Sequence, residues 1–233
     1  MNLGATSWQD AGTYIDNLRL LSGHVSFCEL LVYTWNDEIQ DLLEREWDAM
    51  TALLSLSVHL PADSTENAVA ALRFFQDREV LRFTVHPIDD TAALRTLLTL
   101  GVRLVGDRLC LENLENDVFE TVYPQVEDIP FSVTLDYGHL LLTRTSPDLF
   151  ADLYGERVGE VHFHGCDASR CHILPDEATL TGFIEFMDRR FTGRSADMPV
   201  CVETFEWPVT RSILDAFARA PAAAAPVEAD SLL

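Results

Sequence analysis

Short apolar runs rich in β-branched residues alternate along this chain with longer stretches in which apolar positions return every three or four residues. The short runs read as buried strands and the longer ones as amphipathic helices. NLGATSW (2–8), VSFCELLVY (25–33), SLSVHLP (55–61), VLRFTVHP (80–87), RLCLEN (108–113), FSVTLD (131–136), VGEVHFHG (158–165) and PVCVETF (199–205) are the strands. Helices fall between and after them near 10–22, 37–53, 65–77, 92–101, 147–154, 176–190 and 207–218, with a weaker one interrupted near Pro124. Asn36 or Asp37 supplies an N-cap for the second, and Gly101 is read as the stop of the fourth. Eight strand–helix units in succession, with strands apolar enough to be buried on both faces, predict an α/β chain forming one (β/α)8 TIM barrel over residues 1–220. The Ala/Pro-rich tail 221–233 predicts disorder. A doubly wound open sheet is the competing architecture, but no Gly-rich phosphate loop follows the first strand.

The strands share a second feature. They close on metal-type side chains: His59, His86, Glu112, Asp136 with His139 just beyond Gly138, His162 with His164, and Glu203. A barrel gathers the carboxyl ends of its strands into one ring, where barrel enzymes keep their chemistry. Taken singly, each group is more readily a hydrogen-bonded core or rim residue. Together, buried carboxylates side by side repel unless a cation lies among them. The minimal ligand set is Glu112, Asp136, His162 and Glu203, with His59, His86, His139 and His172 holding further ions or orienting substrate. Carboxylate and imidazole without thiolate suit Mn, Zn, Fe or Mg. A zinc knuckle of Cys166, Cys171, His164 and His172 is the competing local reading. Glu29 is as readily a rim ion pair as a substrate contact. Trp8, Tyr33 and Trp35 either floor a ligand cavity or pack in the core, and Glu206 and Trp207 carry the same ambiguity.

Composition narrows the partners. Sixteen Lys and Arg against 38 Asp and Glu leave a formal charge of −22, a field that opposes duplex nucleic acid, whose binding relies on cationic side chains. With 48% hydrophobic residues in 233, the chain can bury a full core. No run has the length of a membrane span, and MNLGATSWQD lacks the basic and apolar regions of a signal peptide, so a soluble, cytoplasmic protein is expected. The five cysteines, Cys28, Cys110, Cys166, Cys171 and Cys201, are odd in number and dispersed, and a disulfide framework is not expected.

In order, HLP at His59, HP at His86, LEN at Glu112, LDYGH at Asp136 and His139, VHFHG at His162 and His164, and VETF at Glu203 resemble the motifs of the xylose-isomerase-like barrels. These include the endonuclease IV class (AP endonuclease family 2) and many sugar isomerases and epimerases. The resemblance runs almost to the tail. Within it, HLP, LENLE, LDYGHLLL and HFHG followed by a histidine-bearing loop look most like the cobamide-remodelling phosphodiesterases, which remove the nucleotide portion of corrinoids. One departure stands out: the loop after the seventh strand reads Arg170, Cys171, His172 where that pattern has an Asp before its histidine, so either the third metal position is altered or Asp167 substitutes. The resemblance implies one to three divalent ions, Mn or Zn foremost, and a small-molecule substrate, a corrinoid or a sugar phosphate. For a hydrolase it implies Glu112 bridging two ions, His139 or His172 stabilising the leaving oxygen, and Glu203 as the last carboxylate. The alternative is a one-metal isomerase or epimerase in which Glu112 and Glu203 move the proton. A repair nuclease ranks third, and a barrel that binds without catalysis is the non-enzymatic reading.

Overall fold

The computed structural model describes residues 1–10, 12–168 and 170–219, so the expected disordered tail lies outside the described residues. Strands β1 (Asn2–Thr6), β2 (Phe27–Leu31), β3 (Ser55–His59), β4 (Phe83–Val85), β5 (Leu109–Glu112), β6 (Ser132–Asp136), β7 (Val158–Phe163) and β8 (Pro199–Val202) alternate with helices. These helices are α1 (Tyr14–Leu21), α2 (Asp37–Thr51), α3 (Thr65–Phe75), α4 (Thr91–Val105), α5 (Val118–Val122), α6 (Tyr137–Thr143), α7 (Pro147–Tyr154), α8 (Glu177–Arg190) and α9 (Trp207–Arg219). Every strand pairs in parallel with the next, and β8 pairs with β1, closing an eight-stranded (β/α)8 barrel. Several helices start where polar side chains satisfy free backbone N–H groups: Asn36 accepts from Ile39, Ser64 from Asn67, Asp90 from Ala92 and Ala93, and Asp176 from Thr179.

The strands are less uniformly apolar than their sequence suggested, and the difference matters. Outward residues such as Leu30, Val58, Phe83, Leu111, Leu135, Val161 and Val202 join the helices in one large apolar core. Inward residues are mostly polar: Ser57 donates to Glu160 at 3.2 Å, and the Thr84 and Thr134 hydroxyls share a hydrogen bond of 3.1 Å. Phe27 fills the space left by Gly4, where a Cβ would come within 2.4 Å of its ring. The helix-facing side thus supplies the hydrophobic stabilisation, leaving the lumen free for ionisable groups.

Two local expectations change. α4 does not stop at Gly101 but runs through it to Val105, and Gly106, at φ 68, caps it. Gly101 is instead a packing glycine: a Cβ there would lie 2.6 Å from Leu109 of β5. Directly after β6, the unforeseen helix α6 begins because the Asp136 carboxylate accepts the His139 N–H at 2.7 Å. Cys28, Cys110 and Cys201 are buried and free, whereas Cys166 and Cys171 form a disulfide, one short staple where none was expected. Among the described residues no helix is long and apolar enough to cross a membrane.

Candidate metal centre

The last residues of β5 to β8 converge at one mouth of the barrel. Glu112, Asp136 and His162 end or nearly end β5, β6 and β7, and Glu203 follows β8. Each can offer one ligand atom within 4.8 Å of the others, and all four are buried. His162 Nδ1 lies 2.8 Å from Glu112 Oε1 and 3.2 Å from Glu203 Oε2. None of these three atoms has a partner in hydrogen-bonding geometry. Buried polar atoms are almost always satisfied, so three that crowd together without a bond fit a cation between them. Two carboxylate oxygens with an imidazole nitrogen are also a ligand set for a divalent ion.

The second oxygen of Glu112 faces a different pair. Its Oε2 is 3.4 Å from His59 Nε2 and 3.1 Å from His86 Nε2, and the two imidazole nitrogens are 3.1 Å apart. His59, His86 and Glu112 form a second cluster of metal-ligand dimensions that shares Glu112 with the first. Behind the quartet, Glu29 Oε2 lies 3.2 Å from His162 Nε2, so Glu29 points into the lumen and is no rim ion pair. Glu160, two residues before His162 on β7, is buried beside them. Glu160 was not among the sequence candidates, although the two-residue period of a strand places it on the same face as His162.

His139, His164 and His172 form a third cluster, again with one nitrogen each within 4.8 Å. His139 Nδ1 donates to Asn113 O at 3.1 Å and His172 Nδ1 to Glu203 O at 3.0 Å, which anchors both rings through Nδ1, and His139 Nε2 lies 3.5 Å from Glu115 Oε2. His164 is set differently from the expected ligand. Its Nδ1 lies 3.1 Å from the His172 backbone nitrogen and 3.2 Å from Gly165 O, and its Nε2 donates to Asp136 Oδ2 at 3.1 Å. In this state His164 orients Asp136. Asn113, also missed in the sequence, braces the same residue by accepting Asp136 N–H at 2.8 Å and donating to Asp136 O at 3.0 Å. Asp167, the candidate replacement for the missing aspartate, is exposed and pairs with Arg170 at 2.9 Å. The zinc knuckle is not formed in this structure either, because the two sulfurs are bonded to each other.

The aromatic candidates separate. Trp35 packs in the core against Phe74 and Phe75. Trp8 and Tyr33 are exposed at the mouth with ring centroids 5.4 Å apart, and Tyr33 lies 6.3 Å from His59. Phe205 continues this arc, 6.1 Å from Trp8 and 4.8 Å from His172. Glu206 is exposed, and Trp207 rests on His24 at 5.1 Å.

Charge follows from this packing. Burial alone would raise the Glu112 carboxyl, but the His162 charge beside it, with the His59 and His86 imidazoles at its other oxygen, holds it well below the usual range. Burial opposes a proton on His59, yet Glu112 lifts it to about 9; His139 rises to about 9 against burial, chiefly through Asp136. Glu160 is pushed up to about 8 by burial and by Glu29. Burial lowers His172.

No protein-family model matches this chain, and no curated protein matches its sequence. Solved structures do. D-psicose 3-epimerase with D-tagatose, from Clostridium cellulolyticum H10, aligns with a TM-score of 0.65 at 15% identity, over 94% of this chain and 96% of that one. An AP endonuclease, family 2, from Brucella melitensis aligns with a TM-score of 0.64 at 14% identity, over 94% and 98%. The IOLI protein with a binding zinc atom aligns with a TM-score of 0.64 at 12% identity, over 92% and 94%. At these identities the likeness is one of fold, that of the closed (β/α)8 barrel.

Proposed function

We propose that this protein is a metal-dependent hydrolase of a small phosphodiester. The observation that carries the reading is the placement of Glu112, whose two oxygens face two different ligand clusters, His162 with Glu203 on one side and His59 with His86 on the other. A carboxylate so placed would serve as a ligand to two ions, and paired ions suit phosphoester cleavage. Divalent ions bound there would neutralise the phosphodiester's charge and lower the pKa of the attacking water.

The remaining roles belong to the protein. Glu112, Asp136, His162 and Glu203 would hold one ion, and Glu112, His59 and His86 the other. His139 or His172, each anchored through Nδ1 on a backbone carbonyl, would stabilise the leaving oxygen with a protonated Nε2. The Trp8, Tyr33 and Phe205 arc, which runs from beside His59 to beside His172, would wall the substrate at the mouth. The substrate to test first is the nucleotide loop of a corrinoid, supported by the motifs HLP, LENLE, LDYGHLLL and HFHG. Incubation with Mn2+ and adenosylcobalamin, followed by chromatography, should release the nucleotide portion; no turnover of any corrinoid removes this substrate.

One observation favours a second reading, an isomerase or epimerase. Glu112 and Glu203 flank His162 within 3.2 Å, an arrangement that also serves a single ion with two proton-moving carboxylates. Elemental analysis separates the two: two or more ions per chain support the hydrolase, one ion the isomerase.

A further inference from the structure

After β7 the chain forms a hairpin that holds two cysteines over His164. Gly165 N–H donates to Ile173 O at 2.8 Å, Ile173 N–H to Gly165 O at 3.1 Å, and Asp167 N–H to Arg170 O at 2.8 Å. Cys166 and Cys171 are half-buried, while the three free cysteines are fully buried. Cys166 Sγ lies 3.6 Å from His164 Nδ1, which also lies 3.1 Å from the His172 backbone nitrogen and 3.2 Å from Gly165 O.

We propose that reduction of the Cys166–Cys171 bond creates a site for a thiophilic divalent ion such as Zn2+, held by the two thiolates and His164 Nδ1. The candidate atoms Cys166 Sγ, Cys171 Sγ and His164 nitrogen already lie within 4.8 Å of one another. Four residues between two cysteines is a spacing that structural zinc loops use. The hairpin's backbone hydrogen bonds hold both cysteines in register without the sulfur–sulfur bond. His164 has the geometry of a metal-ligating imidazole, since its other nitrogen donates to a carboxylate, Asp136 Oδ2, at 3.1 Å. The half-exposure of the cysteines leaves the fourth tetrahedral position to water.

The chemistry balances with a reductant of the phosphine class. Phosphine, water and the disulfide give phosphine oxide and two thiols, and ion binding then releases the two thiol protons. His164 Nδ1 has one lone pair, so the ion replaces the His172 N–H there and frees His172, which sits at φ 58 beside Cys171. This site is separate from the Glu112 centre but is linked to it through the His164–Asp136 hydrogen bond.

The test is a Co2+ titration of the full chain, once as isolated with the bridge intact and once after phosphine reduction and anaerobic desalting. The reduced protein should gain a sulfur-to-cobalt charge-transfer band in the near ultraviolet and bind one more ion per chain than the oxidised form. Cys166→Ser with Cys171→Ser should lose that band and that ion while keeping the far-ultraviolet circular dichroism of the barrel. His164→Gln, which retains a donor for Asp136, should weaken the band's titration. Absence of a thiolate band in the reduced protein, or its persistence in the double serine variant, overturns the proposal and leaves the bridge a structural staple. Neither outcome depends on turnover, so the hydrolase reading stands or falls separately.

Discussion

Glu29 and His162 meet inside the barrel, with Glu29 Oε2 3.2 Å from His162 Nε2 and both side chains fully buried. The two atoms are close without hydrogen-bonding geometry, and the Glu29 charge favours a proton on Nε2 once an ion takes up Nδ1 between Glu112 and Glu203. Outer partners of this kind set the tautomer and basicity of a ligating imidazole. Glu29→Gln should therefore weaken divalent metal binding by about 10- to 100-fold, read by calorimetric titration. Unchanged affinity in a folded variant would show that Glu29 does not orient His162.

Glu112→Gln tests the shared ligand. If one carboxylate serves both clusters, its loss should lower the affinity of both ions together, by at least about tenfold each. A variant that loses one ion and keeps the other at wild-type affinity would contradict the bridging role. Elemental analysis after dialysis against a limiting metal buffer makes the distinction.

The apo protein should lose stability as pH rises. His59 and His139 have folded pKa values lifted to about 9, and Glu160 to about 8, so the folded state binds more protons than the unfolded chain. Where the folded state holds more protons, stability falls with increasing pH. The contribution of the two histidines is complete below their unfolded value of 6.5 and disappears through about 9; that of Glu160 is complete below 4.5 and disappears through about 8. The Tm in a chelator should therefore drop between pH 6.5 and 9. Saturating divalent ion should remove or reverse the drop, because ligands must shed protons to bind it. A Tm in chelator that rises over this interval would contradict the assignment.

Gly138 tests whether Asp136 depends on its support. A Cβ at Gly138 would come within 2.2 Å of the His164 ring, so Gly138→Ala must push His164 away from Asp136. The expected result is a destabilisation of about 1–3 kcal/mol, the usual cost of overpacking, together with weaker metal binding, though no ligand has changed. Calorimetry of unfolding and metal titration of the same variant check both.

Much of this molecule is legible in one dimension. The eight strands and most helices follow from apolar periodicity and a cap such as Asn36. A helix on the outside of a barrel must present an apolar stripe to it, and that stripe is visible in the chain. The boundaries that fail do so for reasons of packing. Gly101 looks like a helix stop because nothing in the sequence reveals that Leu109 needs the space a side chain would fill. α6 is hidden because one carboxylate, Asp136, serves both as a strand-end acid and as the helix cap.

By itself the sequence determined that His, Asp and Glu residues sit at strand ends, and parallel β/α alternation then sends those ends to one mouth. Only the tertiary structure decided which of them face one another. It paired Glu29 with His162, shared Glu112 between two clusters, and set His164 behind Asp136 and beneath a pair of bonded cysteines. The reason is that strand period fixes only the face a side chain occupies. Its partner across the lumen depends on the stagger of strands from β2 to β8, and the proton on each imidazole depends on the backbone groups that stagger brings within reach.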